Sequence, residues 1–278
     1  MRQRNVIYEI RDGIGFITLN RPEKLNAIND AMLAEIDDTL ADVDQNLDVK
    51  VAVLSGAGDC FSSGQDLSGI DTTQTLPGRR LRGAASKEPH LLQQRRSRRA
   101  QYLFNLIKPT IARVHGQCLG LALDLAVLCD ITVAGEDAVF GDPSLRLGIL
   151  PDMPLWVWLV GFHKAKELLF SGRCISGKEA ERIGLINKAV PAHRLEAETL
   201  RLAGKMALAP GDGLAICKDA INGAMEMRGL RVAWRFTDEM QTVMQQLPGA
   251  SAGPDFHTVR KRKGLKTAIQ GRDSPFQV

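Results

Sequence analysis

Two periodicities of apolar and polar positions alternate along this chain. Val6–Ile10 and Ile14–Leu19 are β-rich runs separated by Arg11-Asp12-Gly13, which predicts two strands joined by a tight hairpin. Behind Asn29, the residues Leu33, Ile36, Leu40, Val43 and Leu47 recur every three or four positions. That spacing predicts an amphipathic helix over 29–47 with Asn29 as its N-cap. Val49–Leu54 is again a β-branched run, ending in Ser-Gly-Ala-Gly. Strand, helix and strand of these lengths imply a crossover connection and a parallel sheet covered on both faces. Thr110–Val114 and Ile131–Ala134 predict further strands, with an apolar helix over Leu119–Cys129 between them. The class is α/β, a stacked spiral of strand and helix units. From Ser176 the pattern turns helical: Ser176-Gly-Lys-Glu179 is a capping box, and 194–208, 213–227 and 229–246 carry helical spacing. A soft boundary near residue 200 divides a core over 1–200 from a helical region over 201–278. Residues 229–276 have little core of their own and are expected to pack on a neighbouring subunit.

Composition narrows the field. With 278 residues, 44% of them apolar and 24% charged, the chain sits among globular proteins and away from disordered or collagenous ones. The net charge of +4 is too small to demand nucleic acid but suits an anionic ligand. Five cysteines, odd in number and without a C-x-x-C pair, suggest neither a disulfide framework nor a thiolate metal site, and fit a reducing cytoplasm. The charged start MRQRNVIYEIRDG lacks the apolar centre of a secretory signal, and the stretch Met153–Phe162 is half a membrane span. Residues 71–101 break the pattern with Pro77, Gly78, Pro89 and arginines at 79, 80, 82, 95, 96, 98 and 99. A solvated charged face, contact with phosphates and RNA binding are three accounts of these arginines. The absence of interleaved aromatics sets RNA last.

Two glycine turns carry the candidate chemistry: Phe61-Ser62-Ser63-Gly64-Gln65-Asp66-Leu67 and His115-Gly116-Gln117-Cys118-Leu119-Gly120-Leu121. Each is expected to join a strand to a helix. Parallel strands deliver such turns to one end of the sheet, where free helix-start N–H groups converge on one ligand atom. Two donors aimed at one oxygen make an oxyanion hole, although glycine turns are also common as plain helix starts.

The run Asn20-Arg21-Pro22-Glu23-Lys24-Leu25-Asn26-Ala27, the two turns above, Cys129-Asp130-Ile131, Phe140-Gly141-x-Pro143 and Leu147-Gly148 resemble, in order and spacing, the crotonase superfamily of enoyl-CoA hydratases and isomerases. The match continues through Glu167–Gly172, Ala180-x-x-x-Gly184-Leu185-Ile186 and Lys263-Gly264-Leu265, so it spans essentially the whole chain. The resemblance implies a crotonase-like spiral of repeated ββα units with a C-terminal helical trimerisation region, assembled as a homotrimer or a hexamer. It implies acyl-CoA substrates, with coenzyme A entering as part of the substrate and no separate cofactor or metal. It assigns the oxyanion donors to the backbone N–H groups of Gln65 and Leu121. Coenzyme contacts are expected at Arg21, Lys24, Ala27, Ser63, Asp66, Leu67 and Arg272.

The acid/base positions depart from the hydratase pattern. Gly120-Leu121-Ala122-Leu123-Asp124 places an aspartate where hydratases resemble G-G-G-x-E, and Ser144 stands where their second glutamate follows F-G-x-P. A carboxylate returns at Asp152, where dienoyl-CoA isomerases and aryl-CoA dehalogenases of the superfamily carry a catalytic aspartate. Asp124 and Asp152 are therefore the expected catalytic pair. Ser144 is expected as a helix cap rather than a catalytic hydroxyl. Asp142 is expected in solvent, with replacement of the lost glutamate as its alternative role, and His90 is a base only if the arginine-rich stretch over 71–101, read as a basic loop followed by a helix, folds over the pocket. Cys118 and Cys129 are expected as small core residues. Hydration or isomerisation of a conjugated double bond is the leading expectation. Hydrolytic C–C cleavage or dehalogenation at Asp152, and a non-catalytic coenzyme-binding or RNA-binding protein, are the alternatives.

Overall fold

The computed structural model describes residues 4–68, 98–147, 149–151, 155–246 and 256–276. Its main sheet has six strands: β1 (Val6–Arg11), β2 (Ile14–Leu19), β3 (Val51–Gly56), β4 (Thr110–Val114), then, after a strand of the second sheet, β6 (Ile131–Gly135) and β9 (Lys188–Val190). They lie in the order β1-β2-β3-β4-β6-β9. The hairpin is as expected: Asp12 and Gly13 both have positive φ, 52° and 75°, the paired left-handed residues of a type I′ turn. β1 and β2 pair antiparallel from Val6 opposite Leu19 to Arg11 opposite Ile14. All later pairs in this sheet are parallel.

Both faces of β3 are buried, which explains its unbroken apolar run. Val51 and Val53 join Ile14, Ile111, Val133 and Val190 in a cluster with Leu195 and Ala203 of helix α5 (Leu195–Ala207). Ala52 and Leu54 face Ile36 and Leu40 of α1 (Asp30–Gln45) and Leu125 of α2 (Leu121–Leu128). Burying each such aliphatic side chain contributes roughly 1.5–3 kcal/mol. Asn29 caps α1, its side chain accepting from Met32 N at 2.9 Å.

The expected helix over Leu119–Cys129 begins at Leu121 instead. Residues 117–119 are a short strand, β5 (Gln117–Leu119), of a second sheet with β7 (Val139–Gly141) and β8 (Ile175–Ser176), ordered β5-β7-β8. Periodicity missed it because three residues are too few to show alternation.

The remaining helices are α3 (Trp156–Ser171), α4 (Gly177–Arg182), α6 (Gly211–Met227), α7 (Leu230–Gln246), α8 (Phe256–Lys263) and α9 (Leu265–Asp273). Ser176 caps α4 by accepting from Glu179 N, as the capping box requires. Within α3, Gly161 has φ +74° and interrupts the helical backbone. The described residues fall into two compact units. Those within Met1–Gln65, Arg99–Phe140 and Ile175–Leu230 form the first, and those within Asp66–Arg98, Gly141–Cys174 and Arg231–Val278 the second. A cut at residue 200 falls inside α5, whose apolar face lies on the sheet. In the first unit α6 is anchored by Lys218 Nζ to Asp130 Oδ2 at 2.8 Å and by Asn222 Nδ2 to the Phe104 carbonyl at 3.0 Å.

Candidate active site

Behind the first glycine turn stands Asn26, fully buried and at a positive φ of 52°, next to Leu25 at 51°. Consecutive non-glycine residues in the left-handed region are costly and persist only when held by their surroundings. The holding groups are evident. Asn26 Nδ2 donates to the carbonyls of Ala57 and Cys60, both at 2.8 Å, and its Oδ1 accepts from Arg21 N at 2.9 Å. Ser62 Oγ donates to the Asn26 carbonyl at 2.7 Å and accepts from Gly64 N at 3.1 Å. Ile28 N donates to the Gly64 carbonyl at 2.8 Å and Ser63 N to that of Leu25 at 2.9 Å. Arg21 Nη1 donates to the Ala27 carbonyl at 2.5 Å. The Asn-Arg-Pro-Glu-Lys-Leu-Asn-Ala run is thus a brace for the turn. Sequence reasoning quoted Asn26 within a motif but gave it no role.

The second turn lies alongside the first. Ser62 N donates to the Gln117 carbonyl at 2.9 Å, Leu119 N to the Ser62 carbonyl at 3.3 Å, and Ser62 bridges Cys118 in parallel fashion. Gly64 has φ +91°, and a Cβ placed on it would stand 2.3 Å from the Leu119 carbonyl oxygen and 3.7 Å from Leu121 N. Only glycine permits that approach. Gly120, at φ 51° and ψ −122°, then turns the chain into α2, whose first residue is Leu121. A helix-start N–H has no intrahelical acceptor. Neither Gln65 N nor Leu121 N donates to a backbone carbonyl among the described residues. The contact at Gly64 brings these two backbone amides close.

One turn along α2, Asp124 is 5% exposed amid Ala122, Leu123 and Leu125. Side chains on a helix lean toward its N-terminus, so this carboxylate tilts back toward the Leu121 end. Its influence reaches Cys118, whose thiol is held well above its ordinary pKa by burial first and the Asp124 charge second. Burial, followed by the Asp130 charge, pushes the Cys129 thiol up to about 12. Both cysteines are core residues and poor nucleophiles, as expected.

In the second unit two expectations are corrected. Asp142 is not in solvent: it is 3% exposed, and its Oδ1 accepts from Ser144 N at 2.9 Å. Ser144 is therefore not the cap of the turn Ser144–Leu147. Asp142 caps it, because a carboxylate two residues upstream reaches the first free N–H more readily than the serine hydroxyl. Arg146 in that turn donates from Nη1 to Asp273 Oδ1 at 2.9 Å and from Nη2 to the Gly172 carbonyl at 2.7 Å. Its guanidinium lies 4.4 Å from the Phe276 ring centroid. Beyond the turn, Leu150 N donates to Gln241 Oε1 at 2.9 Å, and Gln241 is 2% exposed.

Among the expected coenzyme contacts, Asp66 Oδ1 accepts from Ser68 N at 2.9 Å and from Ser68 Oγ at 2.5 Å. Arg260 donates to the Leu67 carbonyl. Arg272 does not present a free cation: it is bidentate to Asp273, at 2.7 Å to each oxygen, with its side chain 11% exposed. Burial raises the Asp273 pKa, but hydrogen bonds from Arg272 and Arg146 outweigh it and hold the carboxyl below its ordinary range. Lys24 is exposed. Asp152, His90 and the arginines from 79 to 96 lie outside the described residues. Among the described residues no group of three His, Cys, Asp or Glu side chains is placed to hold a metal ion, and no helix is long and apolar enough to cross a membrane.

The whole arrangement has relatives. A family model described as Enoyl-CoA hydratase/isomerase matches residues 9–254. The chain is 31% identical over 258 residues, 91% of this chain and 95% of the other, to a protein of Rhizobium meliloti named probable enoyl-CoA hydratase. It is 34% identical over 230 residues, 81% and 84% of the two chains, to the short-chain-enoyl-CoA hydratase of Clostridium acetobutylicum. Its fold is similar to the crystal structure of an enoyl-CoA hydratase/isomerase from Xanthobacter autotrophicus Py2, with a TM-score of 0.90, 32% identity and 99% of each chain covered.

Proposed function

The chain belongs to the enoyl-CoA hydratase/isomerase family, and from that premise we propose that it hydrates or isomerises the conjugated double bond of an enoyl-CoA thioester. The observation that carries this reading is the contact of the two turns at Gly64, which brings the Gln65 and Leu121 amides together. Attack at the β carbon, or removal of a γ proton, sends an electron pair through the conjugated system to the thioester oxygen. Two fixed N–H donors at that oxygen stabilise the enolate. Asp124 and Asp152 serve as the acid/base pair: in hydration one takes a proton from the attacking water and the other delivers one to the α carbon, and in isomerisation one removes the γ proton and the other returns a proton at the α carbon. With Ser144 in place of a glutamate, hydration relies on Asp152 for its second carboxyl, whereas isomerisation needs only proton relocation. Turnover of a panel of enoyl-CoA and dienoyl-CoA thioesters, followed by loss or shift of the conjugated absorbance, tests this. Inactivity on every member would overturn it. Buried free thiols at Cys60, Cys118 and Cys129 suit a reducing compartment such as the cytoplasm.

We place the coenzyme phosphates at exposed cations rather than at Arg272. Lys261, Arg262 and Lys263 end α8 on the surface. Binding of free coenzyme A, measured by calorimetry, is expected to weaken several-fold between roughly 50 and 300 mM salt, and similarly in Lys263→Ala. A salt-independent Kd counts against this placement.

Assembly follows from α7, which leaves Val232, Phe236 and Val243 exposed at 72, 59 and 47% along one helix. A second copy of the chain is the fitting cover, giving the homotrimer or hexamer that the resemblance implies. Sedimentation is expected to show roughly three or six times the chain mass. A stable monomer at micromolar concentration overturns it.

A further inference from the structure

The stretch from Arg146 to Leu150 is held at both ends by groups from elsewhere in its own compact unit. At one end Arg146 joins four partners from two stretches of chain: the carbonyls of Ser171 and Gly172 at the end of α3, and Asp273 with the Phe276 ring near the C-terminus. Helix C-terminal carbonyls carry partial negative charge, so a guanidinium there is stabilised twice, by the dipole and by Asp273. The fit is close, since a Cβ on Gly172, which has φ +60°, would stand 3.0 Å from Arg146 Nε. At the other end the Leu150 amide donates to Gln241 Oε1. Between them Ile149 N closes the segment on itself by donating to the Ser144 carbonyl at 3.1 Å.

A glutamine 2% exposed is unexpected on the inner face of a helix, where an apolar residue would pack without a desolvation cost. Its presence is explained by the Leu150 N–H, a backbone donor in an irregular segment with no strand or helix to satisfy it. We propose that Gln241 and Arg146 are positioning residues, fixing the backbone that carries Ser144 and leads in sequence to Asp152. The inference rests on the acyl-CoA reading above, because that reading takes Asp152, two residues beyond Leu150 in sequence, as one of its acid/base groups. Angstrom-scale displacement of a reacting group typically costs about 10²-fold in rate.

Gln241→Leu removes the acceptor and keeps much of the volume, while Gln241→Glu returns an acceptor oxygen. Hydrogen exchange of peptides spanning 144–151 is expected to quicken in Gln241→Leu and to recover in Gln241→Glu. With a thioester that the wild type turns over, kcat is expected to fall roughly 10- to 100-fold in Gln241→Leu, with KM within about twofold, and to be largely restored in Gln241→Glu. Unchanged exchange, or unchanged kcat in a natively folded Gln241→Leu, overturns the proposal. If that variant does not fold, Asp273→Asn takes its place, with the same expectation for kcat and the same overturning result. A wild type inactive on all thioesters would sink the acyl-CoA reading instead, and the exchange comparison would still decide whether Gln241 fixes the segment.

Discussion

Asp124→Asn is expected to lower kcat by about 10²- to 10⁴-fold with KM little changed, the largest loss for any single side chain of the described site. The substitution keeps shape and polarity and removes only the titrating proton. Asp124 is buried in a helix of aliphatic neighbours, one turn from the Leu121 amide. On the proposed assignment of Asp124 and Asp152, one carboxyl works protonated and the other ionised, so kcat/KM is expected to be bell-shaped in pH. Losing Asp124 should remove one limb of that bell, which a loss of stability would not do. If Asp152→Asn alone is inactive and the wild type accumulates a covalent adduct at Asp152, the nucleophilic route is correct. Wild-type rates in both variants would pass the assignment to Asp142, Ser144 or His90.

The second large effect separates a backbone donor from a side chain. Gln65→Ala is expected to retain most activity, because its N–H is untouched. Gln65→Pro deletes that N–H and is expected to cost 10²-fold or more in kcat, on the scale of about 3 kcal/mol for one oxyanion donor. Gly64 and Leu119 are already in contact, so the second amide at Leu121 remains to hold part of the charge and binding survives better than turnover. Equal losses in the two folded variants would move the function to the glutamine side chain.

Local signals were legible where physics is local. Asp12-Gly13 announced its hairpin, Asn29 its helix start and Ser176 its capping box, since each acts on backbone groups a few residues away. The meeting of the two glycine turns was likewise readable from their places after strands, while the helix expected after the first lies outside the described residues, and the family match runs over residues 9–254. Sequence could not show that Asn26 Nδ2 would reach Ala57 and Cys60, or that Gln241 would meet an amide ninety-one residues away. Such partners are chosen by tertiary placement and leave no periodicity. Asp142 was misjudged for the same reason: flanked by glycine and proline it resembles a surface turn, and only the packing around the turn buries it. Nor could sequence show that Arg272, expected at the coenzyme, would be bidentate to its neighbour Asp273.

The strands of the main sheet lie side by side in the order in which they are synthesised, β1-β2-β3-β4-β6-β9. A nascent chain leaving the ribosome can therefore add each strand beside the one made before it, without inserting between two already paired. The hairpin, whose turn needs no distant partner, supplies the template, and β3 docks on it once α1 has emerged. Until the final strand arrives, β3, β4 and β6 are in turn an apolar edge open to another nascent chain. The sheet closes on β9, three residues long and headed by Lys188, whose ammonium pairs with Glu198 of α5 at 2.6 Å. A short charged terminus is what an assembly line growing in one direction requires as its stop.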